Sequence, residues 1–505
     1  MPLEVFITAW QWGVVMNRKR IERSRVVSYL LLIPLILLGI LSILATGGGG
    51  GGSLSGGGGL GDGDGFVGGS TPYDTFSADK IDRTKWADLE FIRRIKDSAL
   101  ELALRRFGSN GSNDLNVIDP DGVDALQADV TVTAVSNTNA EARAGVMGDF
   151  YNDGTPGTGL TGDVLASAQI VTADTGLLGR FRVWRCDDLD CVTLTTLLLD
   201  DTTIGPVAMG ETHTLSVAWN GAVFTFGVDG LTRIFDPTAD LTAAVPPVSK
   251  PRQPHKYLGT RVSAIGGPDE GAFIAATFDN VVVNGSLYDN FASPMIDRTK
   301  WADLELVRQI KNKALESTLT RFGSDGSNNL NVIDPDSVAK IQAEVTVTAV
   351  SNTNAEARAG VMGDFYNDGT PGDGFIGDVL ASTEIRDNGS GLVVALVVVR
   401  CDDIDCFAFT TIELDDTTFS PVSLGETHTL SVAWSGAVFT FGVDGVTTTF
   451  DPRAAARVAG PPQAASRFKG LGTQVSGITA PEEGAAITAR FDDVRVGSPP
   501  RAPPR

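Results

Sequence analysis

The sequence predicts an all-β protein: two tandem antiparallel β-sandwich domains behind an N-terminal apolar helix and a glycine-rich linker. Three observations predict it. The chain repeats itself at an offset of 215 residues. Each copy alternates β-branched or apolar residues with polar ones, in short runs broken by Asn-Gly and Asp-Gly turns. The one long apolar run, 26–46, lies ahead of both copies.

The leader comes first. Asn17–Arg25 (NRKRIERSR) carries five basic residues and one acid, and Val26–Thr46 carries no charge in 21 residues. A run of that length spans a hydrocarbon core of ~30 Å, and basic residues ahead of it hold the N-terminal side in the cytoplasm. A signal peptide cut near Ala45–Gly47 and an uncut anchor both fit. Either sends the rest out of the cytoplasm, to a bacterial envelope, with the membrane met through this helix. Gly47–Gly69 holds 15 glycines in 23 residues, the composition of a flexible tether. The segments are therefore 1–46, a linker at 47–72, repeats at 73–287 and 288–497, and a Pro/Arg tail at 498–505.

Composition excludes several functions. The 505 residues carry a net charge of −22, and beyond residue 46 there are 35 basic residues against 60 acidic ones. Such a chain is no general nucleic-acid binder and repels anionic surfaces. Three His and four Cys are too few for a zinc enzyme to be expected.

The repeat is read residue by residue. Tyr73-Asp74 recurs at Tyr288-Asp289, Trp86 at Trp301, Cys186 at Cys401, His213 at His428 and Trp219 at Trp434. A two-residue indel then pairs Phe278 with Phe491. Val130–Gly157 and Val345–Gly372 are identical over 28 residues. Ala128–Val135 alternates like a half-buried strand. His213–Trp219 and Ala222–Val228 flank Asn220-Gly221 as a hairpin. Phe273–Asn284 and Ala486–Val496 close the copies as strands. Leu89–Phe107 has helical spacing, yet its counterpart includes Thr318 and Thr320, which favour strand. The segment is predicted as two strands turning near Lys96-Asp97.

YDTFSADKIDRTKW at Tyr73–Trp86 and FDNVVVNG at Phe278–Gly285, with YDNFASPMIDRTKW and FDDVRVG in the second copy, resemble the first and last strands of concanavalin A-like lectin/glucanase (laminin G-like) jelly rolls. The resemblance covers 73–497. It implies a jelly roll whose first and last strands are neighbours, and a sugar-binding or sugar-cleaving role. It also implies a structural Ca²⁺ where Asp74 meets Asp279 and Asp289 meets Asp492. Such Asp residues also serve as ordinary turn and cap residues. Glucanases of this kind carry E-x-D-x-E on a strand, and no such run occurs here. The expectation is non-catalytic recognition of a glycan or surface polymer. A hydrolase with a site assembled from separated residues and a structural or adhesion protein are the rivals.

Within each copy, GDFYNDGTPG joins acid, amide and aromatic groups on one loop, the mixture a sugar needs. The ligand candidates are Asp149, Tyr151, Asn152 and Asp153, with Asp364, Tyr366, Asn367 and Asp368. A plain N-D-G turn beside a packed aromatic is the alternative. Cys186–Cys191 and Cys401–Cys406 are predicted as disulfides across hairpin turns. The acids between them (Asp187, Asp188 and Asp190 in the first copy) leave a cation site open. Arg143 and Arg358, mid-strand, read as ion-pair partners or as a grip for a carboxylate. Trp86, Trp219 and their mates read as core.

Overall fold

The computed structural model describes residues 71–497 except 137, 175, 240–246, 352, 371–373, 388, 390, 405, 407, 416–418, 420, 453–467, 479, 481 and 482. The apolar run, the glycine tract and the C-terminal tail lie outside the described residues. No helix among the described residues is long and apolar enough to cross a membrane.

The described chain is antiparallel β-structure, with single 3₁₀ turns at Pro120–Gly122 and Pro335–Ser337. One 15-stranded sheet runs through both repeats, and each repeat adds a six-stranded sheet. Period-two burial follows the sequence: Ala125–Val135 and Thr212–Trp219 alternate buried and half-buried positions. Leu89–Phe107 is a hairpin, Phe91–Lys96 and Ala99–Phe107, turned by Asp97 and Ser98 at φ of 52° and 60°. The second hairpin departs from expectation. Trp219 pairs with Phe224, so Asn220–Val223 is a four-residue loop. Asn220 Oδ1 accepts from the N–H groups of Ala222 and Val223, an Asx geometry that favours the longer loop.

Both disulfides are formed, Cys186–Cys191 and Cys401–Cys406, as in a protein folded in an oxidising compartment. They do not bridge the strands. Cys186 pairs with Leu194, so Cys191 sits inside the loop, at φ 57°. The loop acids are struts. Asp188 accepts from the N–H groups of Val192 and Thr193, and Asp187 holds Arg185 and Thr195.

The two repeats meet as strands. Phe91, Ile92 and Arg93 pair with Arg308, Val307 and Leu306. Ile92 and Val307 are equivalent positions of the two copies, so a pseudo-twofold axis passes between them. Around this junction the opening segments are exchanged. Phe76, Ile81 and Trp86 belong to the core of the second repeat, and Phe291, Ile296 and Trp301 to that of the first. Tyr73 and Asp74 bond through their N–H groups to Val494 O, Trp86 bridges Val332 and Trp301 bridges Val117. The sequence boundary at 287/288 therefore differs from the packing boundary: 288–301 completes the first core, and 73–86 the second.

The exchange corrects the expected aspartate pairing. Asp289 lies opposite Val281, beside Asp279, and Asp74 opposite Val494, beside Asp492. Asp74 accepts from the Phe76 N–H and from Trp86 Nε1 (2.7 Å), and Asp289 does the same for Phe291 and Trp301. Both carboxylates thus pin an indole with one oxygen and a backbone N–H with the other. Asp279 and Asp492 accept from the next residue's N–H. No group of three or more His, Cys, Asp or Glu among the described residues is placed to hold a metal.

Candidate binding faces on the two small sheets

The predicted loop sits where strand Glu141–Asn152 turns toward Asp163–Ala173. A register shift falls between Asp149 and Tyr151, and it splits the four candidates. Tyr151 faces the core, buried to 2% and stacked on Trp219 at 4.8 Å. Tyr366 repeats this on Trp434 at 4.6 Å. A ring packed this way has no face for a sugar, so the expected stacking role is corrected. Asn152 is a strut: Nδ2 donates to Thr161 O and Asp163, and Oδ1 accepts from the Gly154 N–H. Asn367 repeats the pattern. Asp153 and Asp368 accept from Thr155 and Thr370 N–H groups and face Arg185 and Arg400. The N-D-G turn accounts for these residues.

Asp149 alone of the four points away from the core, in line with Met147, Gly145, Arg143 and Glu141. Its carboxylate is 1% exposed, lies 3.1 Å from His255 Nδ1 and makes no hydrogen bond among the described residues. Its carbonyl accepts from Lys256 Nζ. Burial lowers that lysine to about 8, Asp149 opposing. Asp364 and Lys469 repeat the contact.

These outward residues lie on a laterally continuous face, because residues directly paired across antiparallel strands project the same way. Across the first sheet, Arg261 pairs with Arg143, Gln169 with Gly145 and Arg180, Ser167 with Met147 and Arg182, and Leu165 with Asp149 and Trp184. Met147, Leu165 and Trp184 form an apolar cluster of their own, apart from the core. Strand Glu141–Asn152 is consequently buried on both faces, unlike the alternating strands of the large sheet.

The electrostatics are uneven. Glu141 receives Arg143 at 2.7 Å, Arg182 at 3.7 Å and Arg180. Burial works against its charge, yet the three arginines hold Glu141 below the usual carboxylate range. Arg180 also grips Asp201. Ser167 Oγ, Gln169 Oε1, Arg143 Nε and Arg182 Nε are buried without a hydrogen bond among the described residues. Buried polar atoms are normally paired, and these four have no partner among the described residues.

Asp114 is at the edge of this face, opposite Gly259. Burial pushes it up to about 6; Ser112 and Arg261 oppose the shift and Asp303 adds to it. The folded chain thus keeps a proton that the unfolded chain releases above ~4, so stability falls as pH rises from about 4 to about 6. The second repeat has Asn329 here. Asp114→Asn is expected to flatten this dependence: between pH 4.5 and 7 the Tm of the parent falls further than that of the variant, by ~2–4 °C for each 1 kcal/mol. Identical profiles would remove the assignment.

The second face has the same central strand, Glu356–Asn367, and different flanks. Ala395, Val397, Val399, Gln474 and Gly470 replace Arg180, Arg182, Trp184, Arg261 and Tyr257, while Glu384 and Arg386 replace Gln169 and Val171. Sequence reasoning singled out Arg143 and Arg358, which are ion-paired as one of its readings had it, but missed Arg180, Arg182, Arg261, Tyr257 and Trp184. A usable signal existed: Arg180–Arg185 reads RFRVWR where the second copy reads ALVVVR.

No protein-family model and no curated protein sequence matches the chain. Among solved structures it is similar to domains LG4-5 of the mouse laminin α1 chain, at 13% identity over 78% of this chain and 89% of that one, TM-score 0.22. It is similar to a κ-carrageenase of Zobellia galactanivorans, at 9% identity over 38% and 81%, TM-score 0.23. A third is the endo-β-galactosidase of Clostridium perfringens that releases GlcNAcα1-4Gal, at 10% identity over 82% and 95%, TM-score 0.22. Scores this low carry no argument about fold, ligand or reaction.

Proposed function

We propose that the protein is a non-catalytic, extracytoplasmic binding protein for a glycan or surface polymer, tethered through its apolar N-terminal segment and presenting one binding face per repeat. One observation carries the reading. The outer face of the first small sheet carries four side-chain atoms, Ser167 Oγ, Gln169 Oε1, Arg143 Nε and Arg182 Nε, that make no hydrogen bond among the described residues. Leaving such groups unpaired costs about 1–3 kcal/mol each, and a hydroxyl-rich ligand satisfies donors and acceptors alike. Two faces on one chain also gain avidity on a repeating polymer.

A hydrolase is the rival that the same test addresses, although Asp114 and Glu141 pair with Gly259 and Ser263, positions about 13 Å apart along the strand, farther than the acid and base of one site stand. The test is a glycan array with the full chain, paired with a reducing-end release assay on every glycan bound. Binding without release is the expected result. Release that disappears in Asp114→Asn would replace the binding reading with the enzymatic one, and an empty array would remove both.

A further inference from the structure

The two outer faces share a central strand of identical sequence, so what differs between them lies in the flanks, and there the difference is one of charge. On the second face the charges balance. Arg358 sits 3.3 Å from Glu356 and 3.4 Å from Glu384, and Arg386 sits 3.7 Å from Glu356. Two arginines meet two glutamates, and the positions beyond are Ala395, Val397 and Gln474.

On the first face four guanidinium groups, those of Arg143, Arg180, Arg182 and Arg261, share the carboxylates of Glu141 and Asp201, with Asp114 near Arg261. Arg180 is saturated by Glu141 and Asp201. Arg143 uses one terminal nitrogen on Glu141 and leaves Nε unbonded, and Arg182 reaches Glu141 only at 3.7 Å, its Nε unbonded too. Arg261, paired opposite Arg143, makes no hydrogen bond or ion pair that the described residues show. Burial and the neighbouring Arg261 lower the Arg143 guanidinium to about 10, and burial lowers Arg182 as well. A guanidinium presents donors in a planar fork that fits an oxyanion two at a time. Arginines crowded against one another with donors to spare are a site short of an anion.

Resting on the glycan-binding reading above, we propose that the outer face of the first repeat binds the acidic group of a polysaccharide, a sulfate ester or a uronate carboxylate, through Arg143, Arg182 and Arg261, and that the second face does not. The chain's charge of −22 leaves general electrostatic adsorption of a polyanion no part in this, since the whole-chain field repels it. The contacts must be local. This departs from the expectation, drawn from net charge alone, that anionic partners are excluded.

The test measures binding of the full chain to three probes: chondroitin sulfate (sulfate and carboxylate), polygalacturonate (carboxylate only) and neutral dextran. Arg182→Val with Arg261→Gln installs the second repeat's own residues, which the same scaffold already carries. The parent is expected to prefer an acidic probe, and the double variant to lose that affinity about tenfold or more, or ~1.4 kcal/mol, with little change in Tm. Binding of chondroitin sulfate alone assigns the site to sulfate; binding of both acidic probes assigns it to carboxylate. The reciprocal variant, Val397→Arg with Gln474→Arg, is expected to raise the stoichiometry on the acidic probe from one site to two, and it decides the matter if the first variant does not fold. A parent that binds neutral dextran as well as the acidic probes, or an unaltered affinity in Arg182→Val/Arg261→Gln, overturns the acidic subsite and leaves glycan binding standing. A parent that binds none of the three, with an empty glycan array, overturns both.

Discussion

Trp86→Ala is expected to loosen the second repeat and spare the first, although Trp86 lies in the first repeat by sequence. Its indole is 1% exposed, belongs to the second core, stacks on Phe76 at 5.8 Å and meets Tyr73 edge-on at 5.4 Å. Removing a buried Trp costs about 3–5 kcal/mol. The change also strands Asp74 Oδ2, which accepts from the indole N–H. Hydrogen exchange reads the outcome by region. Amides of Lys340–Val350 and Gly484–Gly497 should exchange faster, while those of Ala125–Val135 keep their protection. Trp301→Ala should do the reverse, because that indole sits in the first core against Phe291 and Tyr288. Faster exchange in the repeat that contains the mutated residue would mean that each opening segment folds back on its own copy, and the exchange would be refuted.

This crossed packing shows where sequence reasoning stops. Strands and turns were legible because they are local. β-Branched alternation in Ala128–Val135 and the Thr residues of Leu315–Phe322 report a period of two, whatever lies opposite. Which core receives the Tyr73–Trp86 segment is not local. Its counterpart, Tyr288–Trp301, has nearly the same residues and fits the same groove, so composition and pattern are equal for self and exchanged docking. The chain passes from one core to the other in the few residues between Trp86 and Phe91, beside the junction at Ile92 and Val307. The Asp pairs followed the same error. The aspartates do lie at the meeting of first and last strands, as the resemblance implies, but across copies, and with their oxygens committed to backbone and indole N–H groups.

The binding residues were partly legible for a related reason. A half-buried strand reads as alternation, and alternation does not say whether its polar side faces water or a ligand. Arg180–Arg185 looks like any solvated strand until Glu141–Asn152, in the same sheet, is seen to be buried on both faces. Comparing the copies supplies what one copy lacks. Where the scaffold strand is unchanged and its neighbours switch from Arg180 and Arg182 to Ala395 and Val397, packing of the core has no stake in the change, since the core-facing residues of Leu392–Cys401 remain apolar.

Tyr151 is the candidate for which chemistry and geometry part most sharply, and its truncation has the second largest expected effect. As a loop aromatic among Asp149, Asn152 and Asp153 it has the makings of a sugar platform, and Tyr151→Ala would then abolish binding in a stable protein. The structure expects the opposite. The ring packs against an aromatic cluster, 4.8 Å from Trp219 and 6.2 Å from Phe224, which are themselves 4.4 Å apart, and burial with the nearby Asp153 and Asp236 pushes its hydroxyl up, so it stays a neutral phenol at any working pH. Tyr151→Ala should therefore destabilise the first repeat by about 3–5 kcal/mol, the range for deleting a large buried aromatic. Tyr151→Phe, which keeps the ring, should cost under about 1.5 kcal/mol, as volume-conserving core changes do. Affinity per folded molecule should be the same in all three proteins, because the outer-face side chains of Arg143, Arg182 and Arg261 lie on the other side of the sheet from this ring. Denaturant melts and binding titrations corrected for the folded fraction separate the cases. A Tyr151→Ala protein of parental stability that no longer binds would return Tyr151 to the site and move the binding surface from the sheet face to the loop.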